Sequence, residues 1–448
     1  MATTLAKYQK YAAYKESQSD WMGKIPAQWS LSRLKYIFSI KKRIAGNLGH
    51  EVLSITQKGI KVKDTESGDG QLSMDYSKYQ LVHIGDFAMN HIDLLTGYVD
   101  ISKYHGVTSP DYRVFAIEDS EKFYSRYYLY LLQMGYKQQL FFHLGQGSSH
   151  LGRWRLPTEA FNEVIYPVPS IQEQTQIANF LDQETAKIDS LIEKQQKLIE
   201  LLQEKRQAVI SHAVTKGLNP DVMMKDSGVE WLGQVPEHWI VKCYRHASKI
   251  YRGKFGHRPR NDPAFYDGEY PFIQTGDVAR AEKYITHYSQ TLNEKGKEVS
   301  QLFPEGTLMM AIAANIGDLA ILGFQAYAPD SVVGFKPNLG IDLEFLRYSF
   351  MAALPALEQT STQSTQANLN IERIGAVHGV FPSLEEQKEI INFLDTMLNK
   401  YQIIKEEMNK AICLLQERRT ALISAAVTGK IDVRNWQVPD EAVMAHTV

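Results

Sequence analysis

Residues 169–182 read PSIQEQTQIANFLD, and residues 382–395 read PSLEEQKEIINFLD. The similarity continues without a gap to LLQEKRQAVISHAVTK at 201–216 and LLQERRTALISAAVTG at 414–429, so that 24 of the 48 aligned positions are identical. A chance match of two amphipathic helices would give scattered identities and would not keep the tetrad Asn-Phe-Leu-Asp intact in both blocks. The chain therefore contains an internal duplication, which decides its architecture.

Each repeated block is predicted to form one long helix. Residues 171–216 and 384–428 contain neither Pro nor Gly, and about 45 helical residues span ~65 Å. The Pro-Ser before each block supplies a stop and an N-cap, and the Glu three residues after each Ser completes a capping box.

Apolar residues recur along both blocks at spacings of three, four or their sums, which predicts a coiled-coil seam. The predicted seam comprises Ile177, Leu181, Ile188, Leu191, Leu198, Leu202 and Val209 in the first helix, and Ile390, Leu394, Tyr401, Ile404, Ala411, Leu415 and Leu422 in the second. The simplest packing is an antiparallel pair related by a pseudo-two-fold axis. Packing of the helices into globular cores is the alternative.

A second repeat lies before each block. Residues 15–29 read KESQSDWMGKIPAQW and residues 225–239 read KDSGVEWLGQVPEHW, so two Trp, a Gly and a Pro recur at an offset of 210. The Trp residues are predicted to anchor each unit. Residues 30–165 and 240–378 are similar in length but align poorly. The sequence thus predicts an α+β chain in which two different globular units stand on a duplicated helical framework.

Composition limits the possible classes of protein. A chain of 448 residues is too long for one ordinary domain, and two cysteines form neither a disulfide framework nor a cysteine zinc site. The N-terminus lacks the apolar segment of a signal peptide. The apolar segment 306–324 is predicted to form buried strands and a turn instead of a membrane helix. We therefore expect a cytoplasmic protein without membrane spans.

Basic residues concentrate where each divergent segment begins. Segments 33–43 and 242–260 contain five and seven Lys or Arg residues and no acid, although the net charge of the chain is −2. One such stretch alone is typical of a solvated surface. Two at matched places of a duplicated chain favour contact with a phosphate backbone. The candidate residues include Lys41, Lys42, Arg43, Arg252, Lys254, Arg258 and Arg260.

Polar residues that could reach base edges follow later in each unit. Gln and Asn pair with adenine, and Arg and Lys with guanine, in the major groove. Any single one of these residues is more often a turn or capping residue, and His150 has no partner that would make it catalytic. The candidates are His150 and Arg153 in the first unit and Gln274, Thr275, Ser364 and Gln366 in the second.

Motifs for chemistry are absent from the sequence. We find no Gly-rich loop followed by Lys-Ser or Lys-Thr for a nucleotide phosphate, no aromatic tetrad of amino methyltransferases, and no acid-x-Lys nuclease pattern. The sequence therefore predicts a protein that is not itself an enzyme. Two alternatives remain: a self-contained methyltransferase or nuclease with unfamiliar motifs, and a coiled-coil adaptor that does not bind DNA.

Four features of the chain carry a resemblance to a known family: the paired PS-x-x-EQ helices with LLQE-(K/R)-R, the two Trp repeats, FIQTGDV at 272–278 and the STQ-type cluster at 364–368. In these features the chain resembles the specificity subunit of type I restriction-modification systems. The resemblance spans nearly the whole chain. It implies target-recognition domains at 1–167 and 229–380, helical spacers at 168–217 and 381–430, a linker at 218–228 and a tail at 431–448. Each recognition domain would read half of a split, asymmetric DNA site.

The resemblance also implies partners. The helices would dock two modification subunits and place two restriction subunits, with double-stranded DNA as the ligand. S-adenosylmethionine, ATP and magnesium would be bound by the partner subunits, with no cofactor or metal in this chain. The residues expected to face a partner are Leu201, Leu202, Arg206, Leu414, Leu415 and Arg419.

Overall fold

The structure is a computed structural model that describes residues 8–17, 19–65, 73, 75–147, 154–257, 261–313, 317–359 and 371–437. The chain forms two compact units. Unit 1 combines Met1–Gln195 with Lys410–Val448, and unit 2 is Gln196–Asn409. Each unit therefore contains one half of each long helix.

The two repeated blocks are helical over nearly the predicted ranges. The long helices are α3, Ile171–Lys216, and α9, Leu384–Val427. The other helices are α1 (Ser125–Lys137), α2 (Thr158–Glu163), α4 (Tyr244–Ala247), α5 (Thr275–Arg280), α6 (Glu294–Glu298), α7 (Leu343–Gln359) and α8 (Ile371–Ala376). Short 3-10 turns lie at Leu34–Tyr36, Phe142–Leu144 and Pro263–Phe265.

Short strands form the remainder of each unit. In unit 1 they are β1 (Tyr14–Glu16), β2 (Lys24–Pro26), β3 (Ser30–Arg33), β4 (Phe38–Ile40), β5 (Leu53–Thr56), β6 (Gly59–Val62), β7 (Gln80–Val82), β8 (Phe87–Met89), β9 (Val99–Ile101), β10 (Gly106–Thr108), β11 (Arg113–Ile117) and β12 (Ile165–Val168). In unit 2 they are β13 (Met224–Asp226), β14 (Gln234–Pro236), β15 (Ile240–Cys243), β16 (Ser248–Arg252), β17 (Tyr266–Phe272), β18 (Tyr284–Ile285), β19 (Gln290–Leu292), β20 (Gln301–Phe303), β21 (Leu308–Ala311), β22 (Leu319–Leu322), β23 (Ala326–Ala328), β24 (Val332–Pro337) and β25 (His378–Phe381).

The duplication extends from the helices into the sheets. Unit 1 contains the strand order β4-β11-β8-β9, and unit 2 contains β16-β24-β21-β22 with β18 added at the edge. The pairs β1-β2 and β3-β12 of unit 1 correspond to β13-β14 and β15-β25 of unit 2. Most of what differs lies between β4 and β8 in unit 1 and between β16 and β21 in unit 2. One further strand in each unit, β10 or β23, joins the differing part from later in the chain. The divergent sequences are therefore largely insertions into one shared sheet.

The apolar segment 306–324 contains the buried strands β21 and β22, as predicted. Both strands lie in the five-stranded sheet of unit 2. Among the described helices, none is long and apolar enough to cross a membrane.

The long helices pack into the cores of the units as well as against each other. Ile177, Leu181 and Leu422 lie in the core of unit 1, and Ile390 and Leu394 lie in the core of unit 2. Both packing modes considered from the sequence therefore occur. The first and last turns of α3 and α9 are buried in a core, whereas the middle of each helix is largely exposed.

Within each unit the two half-helices run in opposite directions. In unit 1, Gln176 contacts the carbonyl of Trp436, and Asp189 further along α3 accepts two bonds of 2.9 and 3.2 Å from Arg419. In unit 2, the end of α3 at Gly217 lies beside Glu386 in the first turn of α9. This agrees with the predicted antiparallel pairing.

Three predicted seam positions are wrong. Leu191, Leu198 and Ile404 are 48%, 45% and 42% exposed, whereas Ile192 packs on the core of unit 1 and Ile199 is half-buried. From Ile188 to Leu202 the inward positions of α3 are Ile188, Ile192, Gln195, Ile199 and Leu202, spaced alternately by four and three residues. The 3.5-residue period of a coiled coil is therefore kept, and the predicted register is off by one residue at Leu191 and Leu198.

Buried glutamines join each long helix to the globular part of its unit. Gln174 accepts a 2.8 Å bond from the backbone N–H of Tyr124, just before α1, and donates to the carbonyls of Lys122 and Pro169. Gln387 makes the same three bonds with Asp342, Gly340 and Pro382 before α7. Both glutamines are 0% exposed. The repeated Glu-Gln therefore positions the same helix in each unit.

The aspartate of the repeated tetrad makes a second matched connection. Asp182 accepts a 2.6 Å bond from the Tyr130 hydroxyl of α1, and Asp395 accepts a 2.5 Å bond from Tyr348 of α7. Burial together with the Asp182 bond raises the pKa of Tyr130 to about 12, so its hydroxyl remains a donor at neutral pH.

The repeated tryptophans are anchors, as predicted. Trp29 and Trp239 are fully buried. The Trp29 indole N–H donates to Glu173 at 3.0 Å.

We predict that Gln387→Ala lowers the free energy of unfolding by about 1–3 kcal/mol or more, because buried backbone groups lose their hydrogen-bond partners. Gln416→Ala, at an exposed position of the same helix, is the matched control and should change the unfolding free energy little. Urea unfolding followed by circular dichroism measures both. Equal midpoints for the two variants would contradict the role assigned to Gln387.

Candidate nucleic-acid interface

The two predicted basic stretches begin at equivalent places of the shared sheet. Lys41–Arg43 follow β4, and Arg252 and Lys254 lie at the end of β16 and just after it. Because β4 and β16 occupy the same position in their sheets, both stretches lead into the divergent insertions. The matched placement predicted from the sequence therefore holds in the fold.

In unit 2, the basic stretch presents unpaired cations. Arg252 and Lys254 are exposed, and neither forms an ion pair with another described residue. The residue between them is Gly253. A Cβ at this position would stand 1.8 Å from the carbonyl oxygen of Pro329, so a side chain does not fit there. The close approach of the backbone fixes where the two side chains leave the sheet. Arg258 and Arg260 lie outside the described residues.

An aromatic cluster links this stretch to the predicted base-reading segment. Phe255 is 3% exposed and packs on Tyr266 and Phe272, with ring centroids 5.7 and 5.6 Å apart. Phe272 ends β17, two residues before Gln274. The fold therefore brings Lys254 and Gln274 to one cluster, although they are twenty positions apart in the chain.

Gln274 has a structural role and an exposed amide. Its backbone N–H donates to Asp277 Oδ2 at 2.9 Å at the start of α5, and its side chain donates to Gln290. The residue is exposed, while Thr275 is half-buried. The turn-residue interpretation is thus correct for the backbone of Gln274, and its side chain remains accessible for base contact.

A groove of about 660 Å³ lies between Asp277, Arg280 and the segment from Ala281 to Ser289. The sequence alone did not single out this groove. Its lining includes the buried carboxylate of Asp277, the cations Arg280 and Lys283, and several exposed aromatic or hydroxyl side chains, among them Tyr284, Tyr288 and Ser289. Lys283 is paired with Glu344 and Asp395.

In unit 1, the three predicted cations differ in exposure and in whether they are paired with an acid. Lys42 is exposed and Lys41 half-buried, and neither pairs with an acid among the described residues. Arg43 is bound to the largely buried carboxylate of Asp86, and its Nη1 lies 2.9 Å from His83. Lys41 and Lys42 are therefore free cations, whereas the charge of Arg43 is compensated.

His150 and Arg153 lie outside the described residues, but the base of their loop is described. Gln146 and Arg155 form a two-bond backbone bridge of 2.8 and 3.0 Å. Arg113, 4% exposed, donates to the carbonyl of Leu156 and contacts the Phe161 ring. Burial lowers the pKa of Arg113 to about 10. The backbone bridge therefore joins the two described flanks of segment 148–153, and buried contacts hold Leu156 on one of them.

A neutral histidine lies beside this loop base. Burial and the neighbouring Arg113 and Arg155 lower the pKa of His91 to about 3, so it carries no charge at neutral pH. Its backbone carbonyl accepts a 2.8 Å bond from Leu156. His91 thus belongs to the internal support of the loop.

The sequence analysis missed the β5-β6 hairpin of unit 1. Lys58 at its turn and Lys61 on β6 are exposed. Gly59 has φ +95°, and a Cβ there would meet the Asp100 carboxylate at 2.7 Å. The alternation of buried Leu53 and Ile55 before Lys-Gly could have indicated this hairpin.

Ser364 and Gln366 also lie outside the described residues. Among the residues that are described, no group of three or more His, Cys, Asp or Glu is arranged to hold a metal ion.

The predicted partner-facing residues differ in accessibility: some are exposed, one is half-buried, and others are engaged in a core contact or an ion pair. Leu201 and Leu414, which are equivalent in the duplication, are 46% and 64% exposed. Arg206 is exposed and Leu202 half-buried. Leu415 packs on the core of unit 1, and Arg419 is occupied by Asp189. Leu201 and Leu414 are therefore the accessible apolar pair.

Comparison with known proteins finds a match to the family model described as "Type I restriction modification DNA specificity domain", over residues 26–201 and 254–412. A curated relative, the specificity subunit of type I restriction enzyme MjaIX of Methanocaldococcus jannaschii, is 26% identical over 187 residues, 40% of this chain and 43% of that protein. The EcoBI specificity subunit of Escherichia coli is 21% identical over 340 residues, 72% of this chain and 69% of that protein. The chain thus spans less than half the length of the first relative.

Two solved structures share the fold. One belongs to work described as "Structural basis underlying complex assembly and conformational transition of the type I R-M system", with TM-score 0.68, 13% identity, and coverage of 90% of this chain and 98% of that chain. The other is the HsdS subunit of Thermoanaerobacter tengcongensis, with TM-score 0.50, 13% identity, and coverage of 91% and 98%.

We predict that the double change of Arg252 and Lys254 to Ala flattens the salt dependence of DNA affinity by about two units, since each phosphate-bound cation contributes close to one. Affinity should fall equally on cognate and scrambled duplexes. The control is Lys295→Ala, which removes an exposed lysine of the same unit outside the stretch. Titrations at several salt concentrations measure the slope, and an unchanged slope for the double variant would exclude this stretch from phosphate binding.

Proposed function

Because the chain belongs to the family of type I restriction modification DNA specificity domains, we propose that it is the DNA sequence-recognition subunit of a type I restriction-modification complex. The observation that carries the proposal is the division of the family match into two blocks, which fall largely in unit 1 and unit 2. In each unit, the shared sheet carries its own insertion and its own unpaired cations.

We propose that each unit reads one half of a split DNA site. The supporting observation is that the framework is duplicated, while the insertions after β4 and β16 differ in both sequence and strand pairing. Different insertions present different side chains, so the two half-sites would differ and the whole site would be asymmetric.

Within unit 2, phosphate and base contacts are assigned to different residues. Arg252 and Lys254 are unpaired and exposed, which suits contact with the charged backbone. Gln274 is held by its neighbours and presents an amide, which suits an adenine edge. In unit 1, Lys41, Lys42 and the hairpin residues Lys58 and Lys61 would take the backbone-binding role.

Catalysis is assigned to partner subunits. We propose that two modification subunits dock on the long helices, where Leu201 and Leu414 expose equivalent apolar side chains. Two restriction subunits would complete the assembly. S-adenosylmethionine, ATP and magnesium would then be bound by these partners. DNA as the ligand implies a cytoplasmic location.

Two experiments separate this proposal from its alternatives. Methyl transfer from S-adenosylmethionine by the isolated chain would indicate a self-contained methyltransferase. Absence of salt-dependent DNA binding by the complex with its modification subunit would indicate an adaptor that does not bind DNA.

We predict that exchanging residues 30–165 for the corresponding unit of another family member changes one half-site and leaves the other unchanged. Sequencing the methylated sites in a host that expresses the chain with its modification subunit measures the outcome. The unexchanged chain, expressed in parallel, defines the reference site. A single continuous palindrome, or a change in both halves, would refute the two-reader arrangement.

A further inference from the structure

Arg280 in unit 2 is an exposed cation held in place by a buried acid. It ends α5 and lines the groove of about 660 Å³ described above. Its side chain is 67% exposed, whereas that of its partner Asp277 is 2% exposed. The two are joined by a 2.5 Å bond from Arg280 Nη2 to Asp277 Oδ1.

Asp277 organises the whole turn around this contact. Its Oδ2 accepts the backbone N–H of Gln274, and its Oδ1 also accepts the Ser289 hydroxyl, both at 2.9 Å. Both carboxylate oxygens are therefore occupied. A carboxylate fixed in this way restricts the rotamers of the arginine bound to it, so the guanidinium is oriented before any ligand arrives.

We propose that Arg280 reads a guanine through its major-groove edge in the half-site bound by unit 2. The inference rests on the proposed function, which it deepens by naming one base and one residue.

Charge favours a base over a phosphate as the ligand. Asp277 compensates the positive charge of Arg280, so the pair attracts a phosphate weakly compared with the unpaired Arg252 and Lys254. A neutral base edge needs directed donors more than net charge. Pairing to a buried acid reduces long-range attraction but preserves the directions of the remaining N–H groups.

The donor pattern favours guanine among the bases. A guanidinium carries five N–H donors in a planar fork, and a single bond to Asp277 leaves donors in the same plane. Guanine presents two acceptors, O6 and N7, on its major-groove edge, and arginine is their commonest partner. Adenine offers one acceptor beside a donor there, which a donor-only group matches poorly.

Arg43 of unit 1 shows the same pairing with Asp86, but its side chain is 30% exposed and it also lies against His83. Arg280 has more than twice that exposure. The assignment is therefore made for Arg280.

The test uses the complex of the full chain with its modification subunit. Methylated-site mapping defines the site, and exchange of residues 240–378 identifies the half read by unit 2. Each G·C pair of that half is then replaced in turn by A·T, and duplex affinities are measured for the unaltered chain, Arg280→Ala and Arg280→Lys. Arg434→Ala is the control, because it breaks another Arg–Asp surface pair, with Asp432 in unit 1.

We expect the unaltered chain to lose about 5- to 150-fold in affinity at one G·C position, the range of a bidentate contact. Arg280→Ala should abolish that preference, and Arg280→Lys should weaken it, because lysine still donates to guanine but lacks the planar fork. Both variants should keep the preferences at all other positions and leave the salt slope nearly unchanged. Lysine retains the charge without the fork, so Arg280→Lys answers the question if the alanine variant folds poorly. The Arg434 variant should retain every preference.

The assignment is overturned if the half-site read by unit 2 contains no G·C pair. It is also overturned if the Arg280 variants keep every preference, or weaken all duplexes equally. A complex of the unaltered chain that does not discriminate between duplexes would overturn the proposed function itself. The duplex affinities of the unaltered complex alone reveal that outcome, so it is distinguished from a failure of the Arg280 assignment.

Discussion

Two buried glutamine side chains hold the architecture together. Gln174 and Gln387 are one residue type at equivalent positions. Each makes two bonds to backbone groups just before a globular helix and a third to the proline that precedes its own long helix. A buried amide that lost these partners would leave several unsatisfied groups in an apolar surrounding. The orientation of α1 on α3, and of α7 on α9, is therefore imposed by one short motif used twice.

This constraint lets the remainder of each unit diverge. The strands next to the long helices keep their order in both units, because they pack on the cores that α3 and α9 complete. The insertions after β4 and β16 depend less on those cores. Unit 1 inserts the β5-β6 hairpin and the β7-β10 pair, whereas unit 2 inserts strands that include a second four-stranded sheet. The insertions can thus present different side chains without disturbing the framework.

The cations of the two insertions divide by whether an acid compensates them. Lys41, Lys42, Arg252 and Lys254 are unpaired and suit the phosphate backbone, where each adds to the salt dependence. Arg43 and Arg280 are each bound to a buried aspartate and are oriented by it. Net charge is nearly zero over the chain, so the proposed affinity for DNA would arise from the local arrangement of cations. The paired cations therefore differ from the unpaired ones in being bound to a buried carboxylate, which both compensates their charge and orients their guanidinium groups.

The sequence by itself determined the duplication, the ranges of the two long helices, the tryptophan anchors and the positions of the basic stretches, because each depends on local periodicity, capping or repetition. Only the tertiary structure decided which apolar residues of the helices face inward: Ile192 and not Leu191, since both fit a spacing of three or four residues after Ile188 in the sequence. It also decided that Phe255, next to Lys254, packs on Phe272, two residues before Gln274, and that Arg280 is bound to Asp277 while Arg252 forms no ion pair with a described residue. Those distinctions depend on contacts between residues distant in the chain, which no local pattern records.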